Sequence, residues 1–211
     1  MSIFSLDSKF MQVMTRVADL IILNVCFLLT CIPIITIGAA STAMYTVCFR
    51  FDTSREGGVL TSYFSAFRSN FKQATLVWLI LLLFGAGTLF NTQLCYGHGG
   101  TLYFGAAFFG ILFLLDLLVH ACVFPLMSLF GNSFKNTMTN AVILGLGYLP
   151  RTVLAAALNI LPFVLWFFNY YRFLQFGFAW MTVYFSLAAY LNTRILKKVF
   201  APYLPKEEPE E

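Results

Sequence analysis

Formal charge is scarce in this sequence and is missing from three long stretches. Lys and Arg number 13 and Asp and Glu 9, together 10% of 211 residues. Between Asp19 and Arg50, between Lys72 and Lys135, and between Arg172 and Arg194, the sequence carries no formal charge except Asp116. This pattern excludes an ordinary water-soluble domain. A helix needs roughly 20 apolar residues to cross a hydrocarbon core about 30 Å thick, and these stretches supply them.

Sequence motifs for catalysis are also missing. The chain has no Gly-rich phosphate loop followed by Lys-Ser/Thr, no GxSxG and no HExxH. Its five cysteines form neither a CxxC pair nor a zinc-like spacing. We therefore expect no enzyme, no cofactor and no metal site. The net charge of +4 comes from basic residues near the ends of apolar runs, where they meet lipid head groups, so we expect no nucleic-acid partner.

Apolar residues dominate what is present: 60% are hydrophobic, 18% are aromatic, and the mean hydropathy is +0.81. The pattern predicts one all-α membrane domain over residues 1–211, a polytopic transmembrane helical bundle with about five spanning helices and amphipathic cytoplasmic interfacial segments. The acidic, proline-containing tail, 203–211, is predicted to be disordered. The five spans are predicted at 17–37, 74–94, 102–127, 152–168 and 173–191.

The first apolar run could be confused with a secretory signal, because the small residues Gly38-Ala39-Ala40-Ser41 follow it. The run is longer than a signal peptide requires and contains Pro33. We therefore expect a retained helix.

Two amphipathic segments lie outside the predicted spans. In the first, Leu60 and several aromatic residues recur at helical spacing, which is typical of a helix in the membrane interface. The second follows Pro125 and includes Met138. Each contains an F-x-x-x-F-K element, at 67–72 and at 130–135, which suggests an internal duplication. The residues of these segments that we predict to contact a partner are Phe64, Phe67, Arg68, Phe71, Lys72, Phe130, Phe134 and Lys135.

Basic residues predict the orientation. Ten of the 13 Lys and Arg residues fall on one side of a five-span arrangement, which should be the cytoplasm. The C-terminus is then cytoplasmic and the N-terminus external. Lys9 and Arg16 oppose this arrangement. If they remain in the cytoplasm, the first helix is re-entrant or interfacial and only four helices cross.

Asp116 and His120 lie four residues apart, on one face of the third predicted span. A carboxyl group in the bilayer costs about 3 kcal/mol, so it should face protein or water. One interpretation is a proton or cation relay, or a site for a polar cargo. The other is a polar contact within the bundle, with a neutral carboxyl or a hydrogen bond to His120 or Asn159.

The order and spacing of several short motifs resemble the YesL-like family of bacterial integral membrane proteins, a domain of unknown function. The resemblance covers nearly the whole chain. Members of the YesL-like family are often associated with carbohydrate-uptake ABC transporters of Gram-positive bacteria. The resemblance implies a multi-pass protein of the bacterial plasma membrane and supplies no catalytic residues. The motifs are Ala18-Asp19-Leu20 with Asn24, Pro33-Ile34-Ile35-Thr36-Ile37-Gly38, Phe64 with Phe67, Asn70-Phe71-Lys72-Gln73-Ala74-Thr75, Asn140-Ala141, and Leu149-Pro150-Arg151-Thr152 with Asn159 and Pro162.

These observations predict an accessory subunit that acts by protein contact within the lipid bilayer. Its partners would be ABC permease subunits or further copies of itself, and any carbohydrate cargo would be indirect. The alternative is a self-sufficient channel or secondary transporter for small solutes that uses Asp116 and His120.

Overall fold

The computed structural model describes residues 9–51 and 58–203, and within these ranges the chain is helical and contains no strand. Short 3₁₀ turns lie at Ile34–Thr36, Gly100–Leu102 and Ala201–Tyr203, and a π-helix at Trp180–Tyr184. The α-helices are α1 (Lys9–Thr30), α2 (Ile37–Arg50), α3 (Val59–His98), α4 (Tyr103–Leu129), α5 (Phe134–Gly147), α6 (Leu149–Phe168), α7 (Tyr170–Gln175), α8 (Gly177–Ala179) and α9 (Phe185–Phe200).

Four segments of the described chain are long and apolar enough to cross a membrane, which agrees with the predicted helical membrane bundle. They are Phe10–Thr30, Val59–His98, Gly100–Leu129 and Leu149–Phe168. The fifth predicted span, 173–191, contains the end of α7 and then α8, the π-helix and the start of α9, which follow one another without a break from Gly177. The predicted disordered tail, 203–211, lies outside the described residues except for Tyr203. Arg55 and Lys206, two of the basic residues used to predict the orientation, also lie outside them.

The first predicted span also differs, since the chain turns back before Ile37. Helix α1 ends at Thr30, and Pro33 is extended, with φ −77° and ψ 116°. Proline disfavours helical backbone in the preceding residue, which explains the break. The chain then re-enters a helix, α2, that the sequence analysis did not predict. Most residues of α2 are buried, so it forms a central element of the core.

Helix α2 packs very closely against α3. A Cβ atom added at Gly38 would lie 2.3 Å from the carbonyl oxygen of Ala74 and 2.6 Å from Cβ of Trp78. Such close approach of two helices requires a residue without a side chain. The small residues that resemble a cleavage site therefore have a packing role. The indole N–H of Trp78 also donates to the carbonyl of Ile34, at 2.8 Å, and holds the turn before α2 against α3.

Helix α3 is continuous over 40 residues, about 60 Å at the standard rise. The amphipathic segment predicted to lie in the interface is the first part of this helix and not a separate element. A bilayer with its head groups measures about 40–45 Å, and ordinary tilts of about 20° shorten the projection of α3 only slightly. One end of α3 therefore extends into water. The charges of Arg68 and Lys72 near its start predict that the first turns are that end.

Helix α1 and the chain around the π-helix are joined by buried hydrogen bonds. The side-chain amide of Asn24, which is fully buried, donates to the carbonyls of Trp180 (3.2 Å) and Met181 (2.9 Å). Its oxygen accepts from the backbone N–H of Ser186, at 3.1 Å. A π-helical turn interrupts the regular helical hydrogen-bond pattern, and buried backbone groups need partners. Asn24 supplies them.

Candidate functional site

Asp116 lies at the centre of α4 and is 5% exposed. Its carboxyl group packs against Gly85 of α3, because a Cβ atom there would be 2.6 Å from Oδ2 of Asp116. Gly85 thus provides the space that the carboxyl group occupies. The other oxygen, Oδ1, is buried and accepts no hydrogen bond from the described part of the chain.

His120 follows one turn later on the same face, as the sequence predicts. Its Nδ1 lies 3.7 Å from Oδ2 of Asp116, which is an ion-pair distance but longer than a hydrogen bond. The imidazole contacts the rings of Trp78 and Phe124 edge to face, with centroids 5.3 and 5.7 Å away. His120 Nδ1 is also buried and has no hydrogen-bond partner among the described residues. The pair therefore retains unused hydrogen-bonding capacity.

Asn159, the third residue of the predicted intramembrane site, lies in a different polar cluster. Its Oδ1 accepts a hydrogen bond from Asn192 Nδ2, at 2.9 Å, and Asn192 also donates to the Tyr45 hydroxyl, at 3.1 Å. This cluster joins α2, α6 and α9. The structure therefore brings together Asp116 and His120 of the predicted site, while Asn159 has a structural role with two residues that the sequence analysis missed. Isolated amides inside apolar runs were the available signal, since such groups need partners in lipid.

A cavity of about 340 Å³ adjoins Asp116 between α3, α4 and α5. Volumes of this size are at the small end of ligand pockets. Its walls are apolar apart from Asp116 among the lining residues described. They include Leu81 and Phe84 of α3, Leu115 of α4, and Met138 and Val142 of α5. The arrangement suits an apolar group that carries one hydrogen-bond donor or positive charge.

The two F-x-x-x-F-K elements lie beside each other. The side-chain amide of Gln73, directly after the first element, donates to the carbonyl of Asn132 in the second, at 2.9 Å. Their local structures differ, however: residues 67–72 are helical within α3, whereas 130–133 precede α5 and Phe134 begins it. This difference in conformation does not favour the suggested duplication.

Aromatic rings line the first of these elements. Tyr63 stacks on Phe67 with centroids 6.3 Å apart, and Phe67 meets Phe71 edge to face at 5.5 Å. Tyr63 is fully buried, whereas Phe64 is 51% exposed and Phe71 37% exposed. Arg68, Lys72 and Lys135 are exposed, and Phe67, Phe130 and Phe134 are half-buried. We call Phe64, Arg68, Phe71, Lys72 and Lys135 the basic aromatic end.

A second cavity, of about 270 Å³, lies next to this end, and the sequence analysis did not identify it. Its lining includes Arg50 at the end of α2, Ser65, Ser69 and Asn70 of α3, and Ser128 of α4. Several of these side chains bond nearby backbone carbonyls: Ser69 and Asn70 donate to Ala66, each at 3.0 Å. The cavity therefore adds a polar recess to an otherwise aromatic and basic surface.

Comparison with known proteins shows that part of this chain is similar to one family. The family model described as "Protein of unknown function, DUF624" matches residues 20–92. Over these residues the chain is similar to DUF624 proteins. YesL-like proteins carry this domain, so the resemblance to that family is confirmed over residues 20–92. No curated protein and no solved structure matches the chain significantly.

The DUF624 match runs from Leu20 in α1 to Thr92 in α3 and includes α2. It therefore contains the close α2–α3 contact and the first F-x-x-x-F-K element. Asp116, His120 and the second element lie outside the matched residues. The DUF624 description assigns no activity to any of them.

Proposed function

We propose that this protein is an accessory subunit of a carbohydrate-uptake ABC transporter in the bacterial plasma membrane, and that it acts by binding the permease. The observation that carries the proposal is the basic aromatic end. Exposed phenylalanines and cations are gathered there on one surface, at the end of α3 that extends beyond the bilayer. Aromatic side chains and arginine, such as Phe64, Phe71 and Arg68, are enriched at protein interfaces.

The position of this surface suits contact with the cytoplasmic parts of a permease or its ATPase. Ten of 13 basic residues lie on one side of the predicted arrangement, and this side would be the cytoplasm. The hydrogen bond between Gln73 and Asn132 fixes the two F-x-x-x-F-K elements relative to each other. A partner would therefore meet a preformed surface. The association of YesL-like proteins with such transporters supports the choice of partner.

Co-purification tests this proposal directly. The full chain is co-expressed with a tagged sugar permease and recovered in mild detergent. The double variant Phe64→Ser/Phe71→Ser removes both exposed rings of the basic aromatic end and should reduce recovery about tenfold or more. The matched control is Phe104→Ser/Phe178→Ser, because both rings are 83% exposed and lie elsewhere on the chain.

Recovery of the wild-type chain without permease would contradict the proposal. If the two double variants are recovered with the permease in equal amounts, the permease remains the partner, but the basic aromatic end is not the surface that contacts it.

The second candidate is a channel or secondary transporter, and the buried pair of Asp116 and His120 beside a cavity favours it. Polar groups at this depth commonly mark ion or substrate paths. Reconstituted vesicles distinguish the two functions. Transport by the purified chain alone, lost in Asp116→Asn, would support the second function, whereas vesicles without transport would support the accessory role.

A further inference from the structure

The cavity beside Asp116 is a groove that opens on the outer surface of the bundle. Four of its lining residues, Ile80, Phe84, Val142 and Leu146, are each more than 40% exposed. These apolar side chains lie on spans or on α5 and would face lipid. The groove can therefore be entered sideways from the membrane.

The floor of the groove contains a carboxyl group, that of Asp116, with one oxygen that accepts no hydrogen bond within the described residues. Asp116 is only 5% exposed, and this oxygen is its Oδ1. Asp116 lies 13 residues from each end of α4, about 20 Å along the helix. Head groups and bulk water do not reach this depth in an intact bilayer. A basic side chain carried by a transmembrane helix of another protein can reach this depth.

We propose that the groove between α3, α4 and α5 receives a transmembrane helix of the permease, which presents a basic side chain to Asp116. This inference rests on the proposed function and names the intramembrane contact of that partner. The apolar walls would pack against the helix, and the carboxyl group would pair with its cation. Charges within membrane helices are costly and usually paired, so such a contact would be specific.

In the part of the chain that the structure describes, the cations of α3 and α9 lie away from the depth of Asp116, so a second copy is a less suitable partner. Lys72 lies 13 residues, about 20 Å, from Gly85, which packs on Asp116. Arg194, Lys197 and Lys198 lie in the last turns of α9. Arg16 is engaged within the chain, since it donates to the carbonyl of Phe51 at 2.8 Å and stacks on its ring at 4.1 Å. Complementarity of charge thus favours a different protein.

The first experiment closes the groove from its lipid side. Val142→Trp would place a large ring in the groove, whereas Ile143→Trp, the next residue on α5, would not, because Ile143 does not line it. Both residues are exposed, 41% and 59% respectively, so both rings can be accommodated at the lipid surface. Co-purification with the tagged permease should fall about tenfold in Val142→Trp and stay at the wild-type level in Ile143→Trp.

The second experiment tests the charge. Asp116→Leu should lower recovery of the permease by about the same factor, and replacing the intramembrane Lys or Arg of the permease by Met should lower it as well. Size-exclusion profiles and thermal midpoints establish that each variant is folded. If Asp116→Leu does not fold, the pair at 142 and 143 still decides the question.

The outcomes separate this inference from the proposed function. If the wild-type chain recovers the permease and both Val142→Trp and Asp116→Leu do so equally well, the groove is not the contact, although the accessory role stands. If the wild-type chain recovers no permease, both fail. A photo-crosslinker at position 142 that links two copies of this chain would also overturn the inference, because it would make a second copy the occupant.

Discussion

Replacing Gly38 by Ala should disrupt the contact between α2 and α3. The new Cβ atom would lie 2.3 Å from the carbonyl oxygen of Ala74 and 2.6 Å from Cβ of Trp78. Neither atom belongs to the flexible end of a side chain, so the two helices would have to separate by about 1 Å to restore ordinary contact distances. Added atoms in a well-packed core typically cost about 1–3 kcal/mol.

Thermal unfolding of the purified protein in detergent measures this effect. For a chain of this size, about 1 kcal/mol corresponds to a change of about 2–4 °C in the midpoint, so Gly38→Ala should lower it by about 2–12 °C. The control is Gly87→Ala in α3, where an added Cβ meets nothing within 4 Å. That variant should unfold at the wild-type temperature or slightly above it, because Ala favours helix over Gly. A wild-type midpoint for Gly38→Ala would refute the close packing described above.

Two further predictions concern the buried polar contacts and the orientation. Asn24→Leu should destabilise the protein by about 1–3 kcal/mol, since it leaves buried backbone groups around the π-helix without partners. Asn91→Leu is the control and should not destabilise it, because the Asn91 amide bonds Gly87 within its own helix. Equal thermal midpoints for the two variants would contradict this role of Asn24. A membrane-impermeant maleimide should label the variant Arg68→Cys only after the cells are opened. It should label Thr101→Cys in intact cells, above the background of the native cysteines. Labelling of position 68 in intact cells would reverse the predicted orientation.

Several parts of the fold follow from local sequence pattern. The spans within α3, α4 and α6 were predicted because length and hydropathy alone determine whether a helix can span lipid, although the sequence analysis treated the first part of α3 as a separate element. The proximity of Asp116 and His120 was also predictable from local sequence, since residues four apart lie on the same face of a helix.

Other features depend on contacts between distant residues. The sequence showed a single run up to Ile37, but the chain turns at Pro33 and returns as α2, because Gly38 and its small neighbours fit against α3. Likewise, Asn159 was assigned to Asp116 and instead bonds Asn192. Both amides lie in apolar runs, so sequence could not tell which partner each would reach.

Hydropathy by itself determined that this chain folds as a bundle of helices in lipid, because apolar length is a property of each segment alone. Only the tertiary structure decided that Gly85 leaves room for the Asp116 carboxyl, that α5 completes a groove beside it, and that Asn24 supports a π-helix more than 150 residues away. The physical reason is that buried polar groups and close helix contacts are satisfied by whichever residues packing brings near, and that choice depends on all the helices together.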